Sequence, residues 1–352
     1  MLSYEFVENM KQKKSMKMNR PLIKLFVLTI ILSIVLTCSF CFGRYHIGVL
    51  DLFKILFSRV IHMDKTWTDQ MEAVVFNIRL PRIILSCMVG SCLAVAGVSY
   101  QGVFQNPMAS PDFLGATSGA AFGAALAILL GLSSAMISAY AFLFSIITVG
   151  LVYLIGRYSP GNPVINLILA GIMVSSLFTA GTSFIKLVAD PMNELPSITY
   201  WLMGSFSGAK RHEITFVAIP MLLGMIPLMG VRWRLNLLAM GDEACESMGV
   251  NANQMRLVVI LASTIITAAS VSVSGMIGWV GLVIPHLCRK VIGNDYKYLM
   301  PTCMVTGAIF MLGVDNISRN LLETEIPIGI LTAFIGAPFF IYLIFRKESR
   351  LS

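Results

Sequence analysis

GDEACESMGVNANQMRLVVILASTIITAASVSVSGMIGWVGLVIPHLCRK, residues 241–290, decides how the chain is read. It begins with a segment carrying three carboxylates, GDEACESMGV (241–250). It then passes into an apolar run rich in Ala, Ser, Thr and Val (257–274) and closes on SGMIGWVGLVIPHLCRK (274–290). The apolar run approaches the roughly 20 residues that a helix needs to cross a hydrocarbon core about 30 Å thick. A charged, amphipathic segment is therefore lodged between membrane-type runs.

Working outward, the same pattern repeats from end to end. The chain has 352 residues, is 57% hydrophobic and only 12% charged, with a mean hydropathy of +0.80. A soluble domain carries roughly a quarter charged residues. The fold class expected is an all-α polytopic membrane protein with ten transmembrane helices. Their runs are 25–42, 79–106, 113–130, 135–155, 164–187, 214–231, 257–274, 276–288, 299–317 and 328–345. The eighth is too short to cross comfortably and should be tilted or broken. The domain plan is a basic tail (1–24), one transmembrane domain (25–345) with a polar insertion at 241–256, and a short tail (346–352). A basic stretch before the first apolar run could also mark a signal peptide. The run is long and ends without a small-x-small site, so it reads as an uncleaved span.

The connections carry their own signals. The longest, 43–77, leaves no room for an independent core. It holds LDLFKILFSRVI (50–61), apolar at helical spacing, which suggests a helix on the membrane surface or against the bundle. The prolines of NPMASPDFLG (106–115) break the helix. Gly115, Gly119 and Gly123 form a small-residue ridge that lets helix backbones touch, and the small residues of the second span argue the same. A short helix with interfacial Tyr200 and Trp201 is expected within 189–213.

The net charge of +8 reads as membrane orientation rather than nucleic-acid binding, because Lys and Arg are retained on the cytoplasmic side. Ten spans put both termini inside. Sixteen basic residues then fall inside and ten outside, and the external group asks for an explanation. The seven cysteines and 22 methionines lie mostly in apolar runs and read as core residues. The four histidines are too scattered to form a metal site.

The chain lacks GxxxxGK[ST], so it cannot cradle a nucleotide phosphate in a P-loop of its own. It has almost no ionisable residue in mid-span, where ion-coupled carriers keep theirs; Asp315 comes nearest. In 242–256 the acids Asp242, Glu243 and Glu246 cluster at a helix start, where the dipole favours them. Gly249 fits that helix's end. Such a segment is either a solvated loop or a rigid coupling element that slots into a partner.

Eight fragments in order make the chain resemble the FecCD-type permeases of binding-protein-dependent ABC importers of the type II class. They are RLPR (79–82), QGVFQNPMASPDFLGATSGA (101–120), LAGI (169–172), WLMGSFSG (201–208), GDEACESMGV, SGMIGWVGLVIPHLCRK, VDNISR (314–319) and EIPIGILTAFIGAPFFIYLI (325–344). The resemblance implies a transport subunit of the plasma membrane that is not itself an enzyme. It implies a cytoplasmic ABC ATPase dimer that binds the ATP and magnesium, an extracytoplasmic substrate-binding protein, and a second permease copy, with no cofactor on this chain. It also implies site residues. Arg79, Arg82 and Arg319 resemble a docking fork for binding-protein carboxylates, which would account for part of the external basic group. Asn106 resembles an inner gate. Gly241, Asp242, Glu243, Glu246, Gly249 and Val250 resemble the ATPase-coupling helix, and His286 could belong to that interface or hold a turn. Trp279 stands where many relatives have Phe.

Iron–siderophore is the commonest cargo of such permeases and the one expected; haem, cobalamin and oxyanions such as molybdate stay open. An ion-coupled carrier and a membrane scaffold are the rival classes.

Overall fold

Backbone N–H and C=O groups cannot be left unpaired in lipid, so long apolar runs enter it as helices. The computed structural model describes residues 2–43, 45, 47–58 and 65–348. Among these the regular elements are helical. In order they are α1 (Leu2–Cys41), α2 (Val49–Phe57), α3 (Asp69–Ala73), α4 (Leu80–Val103), α5 (Ala116–Leu129), α6 (Ser134–Tyr158), α7 (Pro163–Val188), α8 (Glu194–Met203), α9 (Arg211–Val231), α10 (Leu235–Leu238), α11 (Asp242–Ser247), α12 (Ala252–Ser274), α13 (Val280–Ile292), α14 (Tyr296–Asn320) and α15 (Ile328–Glu348). Residues 59–61 of the expected surface helix, Arg44, and residues 349–352 of the expected tail lie outside the described residues.

Among the described residues seven helical stretches are long and apolar enough to cross a membrane: Arg20–Cys41, Asp69–Val103, Ser134–Tyr158, Pro163–Val188, Glu213–Val231, Ala252–Ser274 and Tyr296–Asn320. The other three expected spans correspond to α5, α13 and the apolar stretch Ile328–Tyr342 of α15, which are shorter. With 13 residues, α13 reaches only about 20 Å, as its short run suggested. The tail before residue 25 continues α1 as helix rather than forming a separate segment.

One boundary differs from the expectation. The second span does not begin at Arg79 but at Asp69, capped by the Thr68 hydroxyl on the Met71 N–H at 3.3 Å. A π-turn, Val74–Arg79, joins α3 to α4, and the Leu80 N–H reaches back to the Val75 carbonyl. The cause is Pro81. Its ring crowds the carbonyl four residues back and brings no N–H, and one widened turn relieves both.

α4 and α12 form the centre of the bundle and are buried over most of their length; α1, α6, α7 and α9 keep open faces. Glycine sets how closely α4 is approached. A Cβ on Gly90 would stand 2.3 Å from the Gly307 carbonyl of α14, and one on Gly97 would stand 1.9 Å from the Gly281 carbonyl of α13. Gly119 and Gly123 of the expected ridge press likewise on the Phe144 and Tyr140 carbonyls of α6. Gly115 does something else: at φ 74° it turns the chain into α5, a conformation that costs glycine little. Gly97→Val should lower the melting temperature of the purified protein by far more than Gly150→Val, whose Cβ would meet nothing within 4 Å. Overpacking costs about 1–3 kcal/mol, and here the obstacle is backbone that cannot rotate away. Equal melting temperatures would refute the close α4–α13 contact.

Successive spanning helices run in opposite directions, so the connections gather at two ends. One end carries α2, α8 and the loop 321–327. The other carries the turn 104–115, the turn 159–162, α10 and α11. At the α8 end the stretch 43–77 does not stand alone. Ile47, Leu52, Ile55 and Trp67 bury themselves with Phe40, Val75, Phe76, Ile83 and Leu312 in a small cluster against the bundle. Also at that end three fragments meet through Gly204, Gly275 and Gly329. The Ile328 N–H bonds the Gly204 carbonyl and the Ser205 N–H bonds the Ser274 carbonyl, both at 2.8 Å.

Candidate functional site

The three arginines of the expected fork converge at the α8 end, and all three are buried. Arg79, on the π-turn, donates through Nη1 to the Phe40 carbonyl and through Nη2 to the Tyr45 carbonyl. Arg82, one helical turn on, donates through Nε to Asp315 Oδ1 at 2.8 Å and through Nη1 to both Glu325 carboxylate oxygens at 2.8 and 2.9 Å. Its Nη2 has no hydrogen-bond partner. Arg319 lies one turn after Asp315 on α14 and pairs with Asp315 Oδ2 at 3.2 Å. Its Nη2 donates to Asn316 Oδ1, and Asn316 donates to the Ser39 hydroxyl at 2.6 Å. Asp315, fully buried, thus bridges two guanidiniums, and the ends of α1, α4 and α14 are tied by charge. A buried carboxylate is tolerated here because each side of it meets a cation. Glu325 is the accessible member, with 31% of its side chain exposed. Asp315 and Glu325 lie 233 and 243 positions from this arginine, beyond the reach of any local pattern.

At the opposite end α11 is brief and firmly seated. Gly241 precedes it at φ 114° and Gly249 follows at φ 76°, both in the region that favours glycine. Asp242 accepts two bonds from Arg256 Nη2, at 2.7 and 3.0 Å, across the turn that leads into α12. Arg256 is 3% exposed. Cys245 points into the bundle, and burial together with the Asp242 and Glu246 carboxylates pushes its thiol up from the ordinary range. Glu243 and Glu246 stay outside, flanked by the exposed Met240 and Met248. Val250 closes the segment by donating its N–H to the Cys245 carbonyl. The result is an acidic and partly apolar projection tied to α12 through Asp242 and Arg256.

Asn106 caps its own turn: Oδ1 accepts the Met108 N–H at 2.8 Å and the carbonyl accepts the Ala109 N–H. The preceding Gln105 holds φ at 49° and donates to the Leu238 carbonyl, fixing the turn to α10. Nearby, Arg289 donates to Gln101 Oε1, a pairing between two fragments that sequence reasoning left unjoined. His286 sets its ring edge-on to Phe339 of α15, an internal contact. Trp279 starts α13 at φ 71° and lies against Gly336 and Phe340, so it seats α15.

Between these ends a groove of about 690 Å³ runs along the open face of α7. Its polar wall is Ser110, Asp112, Ser175, Ser176, Thr179 and Ser183, with no basic residue among those lining it. Asp112 accepts from the Thr117 hydroxyl. Such a wall can pass a polar body but has no cation to trap a bare anion.

Comparison with known proteins gives this geometry its relatives. A family model described as the FecCD transport family matches residues 30–346. The molybdate import system permease protein MolB of Haemophilus influenzae is 40% identical over 324 residues, covering 92% of this chain and 96% of the relative. The cobalamin import system permease protein BtuC of Halobacterium salinarum is 38% identical over 283 residues, covering 80% of this chain and 76% of that one. A solved structure assigned to the metal-chelate type of ABC transporter, in an inward-facing conformation, superposes with a TM-score of 0.82. It is 39% identical and the match covers 92% of this chain and 98% of that chain.

Proposed function

Because the chain belongs to the FecCD transport family, whose members are membrane transport components rather than enzymes, we propose that it is the permease subunit of an ATP-driven importer. Its cargo is a metal chelate of the iron–siderophore class delivered by an extracytoplasmic binding protein. The observation that carries this reading is α11, an acidic projection locked to α12 by Asp242 and Arg256. A rigid body of this kind transmits force from a partner, and a flexible loop does not.

In this reading the α11 end and both termini face the cytoplasm. An ABC ATPase dimer, which holds the ATP and magnesium, grips Glu243, Glu246, Met240 and Met248. The open groove on α7 is closed by a second copy of the chain, and cargo passes between the two. Asn106 fixes the turn that leads to Ser110 and Asp112 at the groove, so gating acts through that turn. At the outer end Glu325 occupies Arg82 until a carboxylate of the binding protein takes its place. Arg79 and Arg319, with their donors engaged by α1 and Asp315, hold Arg82 in position.

A second reading has a molybdate-type oxyanion as cargo, and the molybdate permease relative supports it. The groove has no basic lining residue, which favours a chelate whose ligand covers the metal's charge.

The test is ATP hydrolysis in proteoliposomes holding this chain and its ATPase, with binding proteins loaded with a ferric chelate or with molybdate. Stimulation by the chelate-loaded protein is expected. Stimulation by molybdate alone would transfer the reading to the oxyanion. Uptake in vesicles that contain no ATPase would overturn the importer and install an ion-coupled carrier.

A further inference from the structure

A second cavity, of about 420 Å³, opens at the α11 end between α6, α7 and α12. Its lining includes Arg157, Arg256, Asn253, Gln254, Tyr153 and Ser159, and no carboxylate. Arg157 is exposed and has no partner among the described residues. Arg256 is buried; Nη2 holds Asp242 and Nη1 donates to Asn253 Oδ1 at 3.1 Å, while Nε is left without a partner. Asn253 and Gln254 belong to the first turn of α12, a helix of 23 residues, so its positive end stands at the cavity. The cap residue Asn251 takes the Gln254 N–H on its side chain and the Met255 N–H on its carbonyl.

Two guanidiniums, two side-chain amides, two hydroxyls and a helix start thus surround one space with no acid on its wall. Of these groups only Arg256 has a part in the import reading, through its hold on Asp242. Charge of one sign gathered around a cavity calls for a ligand of the other, and guanidinium groups match tetrahedral oxygens in geometry as well as charge.

We propose that this cavity binds a phosphate group, carried in the first place by the headgroup of an acidic phospholipid. Basic pockets between spanning helices on the cytoplasmic side hold such headgroups. The inner-leaflet position rests on the orientation proposed above; the chemistry of the site does not. The consequence is regulatory, because the same Arg256 that faces this cavity holds Asp242 and therefore α11. Lipid occupancy and the position of the coupling element share one side chain.

The experiment uses the full chain. Native mass spectrometry of the purified protein, exchanged into mixtures of phosphatidylglycerol and phosphatidylcholine, counts retained lipid for the wild type, Arg157→Gln and Arg234→Gln. Arg157 is exposed and unpartnered, so its variant keeps the fold. Arg234 is an exposed arginine at the same end that lies away from the cavity. Arg157→Gln should lower retention of the acidic lipid about fivefold, the factor one basic residue contributes at an anionic membrane surface. Arg234→Gln should leave it unchanged. A parallel arm titrates inorganic phosphate into protein held in phosphatidylcholine alone and follows the phosphorus resonance. Broadening lost in Arg157→Gln, without any lipid preference, supports the phosphate site and assigns it to a soluble ligand. If Arg157→Gln binds acidic lipid and phosphate as the wild type does, the proposal falls. It falls equally if that variant weakens only the association of the ATPase, for then the cavity receives a protein side chain. A failed import assay with intact lipid selectivity would strike the function proposed above and leave this site standing.

Discussion

Asp315→Ala is expected to destabilise the protein by about 3–5 kcal/mol, the range for removing one partner from a buried ion pair. The size follows from what remains. Arg319 keeps Asn316 Oδ1 and a 3.4 Å contact with the Ser39 carbonyl but loses the carboxylate facing its Nε. Arg82 keeps Glu325 but loses the partner of its own Nε. Two buried guanidiniums then share the site with one partly exposed acid, Glu325, which pairs with Arg82. Asp315→Asn should fall between the wild type and Ala, since it retains a carbonyl oxygen for one arginine while losing the charge. Glu325→Ala should cost much less, because that carboxylate is partly in water, where ion pairs are worth about 0–1 kcal/mol. Thermal unfolding of the detergent-purified chain measures all three. An Asp315→Ala protein that melts with the wild type would mean that the cluster does not hold the ends of α1, α4 and α14.

The cluster also shows where sequence reading stops. RLPR and VDNISR were recognisable as fragments, and their arginines could be assigned to one end of the bundle. Their partners could not be found. Arg82 and Asp315 are 233 positions apart, and a 3.6-residue periodicity reports only which face of a helix is apolar, not which helix lies opposite. The same gap hid the pairing of Gln101 with Arg289, 188 positions apart. An external docking fork was the natural expectation for Arg79, Arg82 and Arg319. The structure buries all three, with Arg82 held between the buried Asp315 and the more exposed Glu325.

Helix ends were more legible, because their causes are local. The limits of α6, α7 and α14 follow from Gly, Pro, Asn and Asp in the adjoining turns: Asn162 caps α7 and Asp295 caps α14. Pro81 is a local cause of a subtler kind: the π-turn before it carries the second span back to Asp69. The glycine-rich fragments had meaning that composition alone could not supply. Gly204, Gly275 and Gly329 are the points at which α8, α12 and α15 meet, and Gly97 and Gly281 are where α4 meets α13. A glycine in the sequence states that something comes close; only the fold says what.

Asp242→Ala is expected to reduce ATP-driven uptake about tenfold while leaving the basal ATPase rate and the fold intact. Hydrogen bonds to charged groups contribute about 1.5–3 kcal/mol each. The exposed position of Asp242, at 43% of its side chain, puts its pair with Arg256 at the low end. A loss near 1.4 kcal/mol is a factor of ten in the population of the seated state. The global fold survives because the helices beneath α11 are packed without it and Cys245 still fills its buried site. What fails is the transfer of motion. An unseated α11 still offers Glu243 and Glu246 to the ATPase, so the two proteins bind, but the element that is pushed no longer moves α12. Asp242→Asn keeps an acceptor for Arg256 Nη2 and should retain part of the uptake. Uptake and nucleotide hydrolysis measured on the same proteoliposomes separate these outcomes. If Asp242→Ala transports at the wild-type rate, the Asp242–Arg256 lock is not what makes α11 rigid, and force must enter the bundle elsewhere.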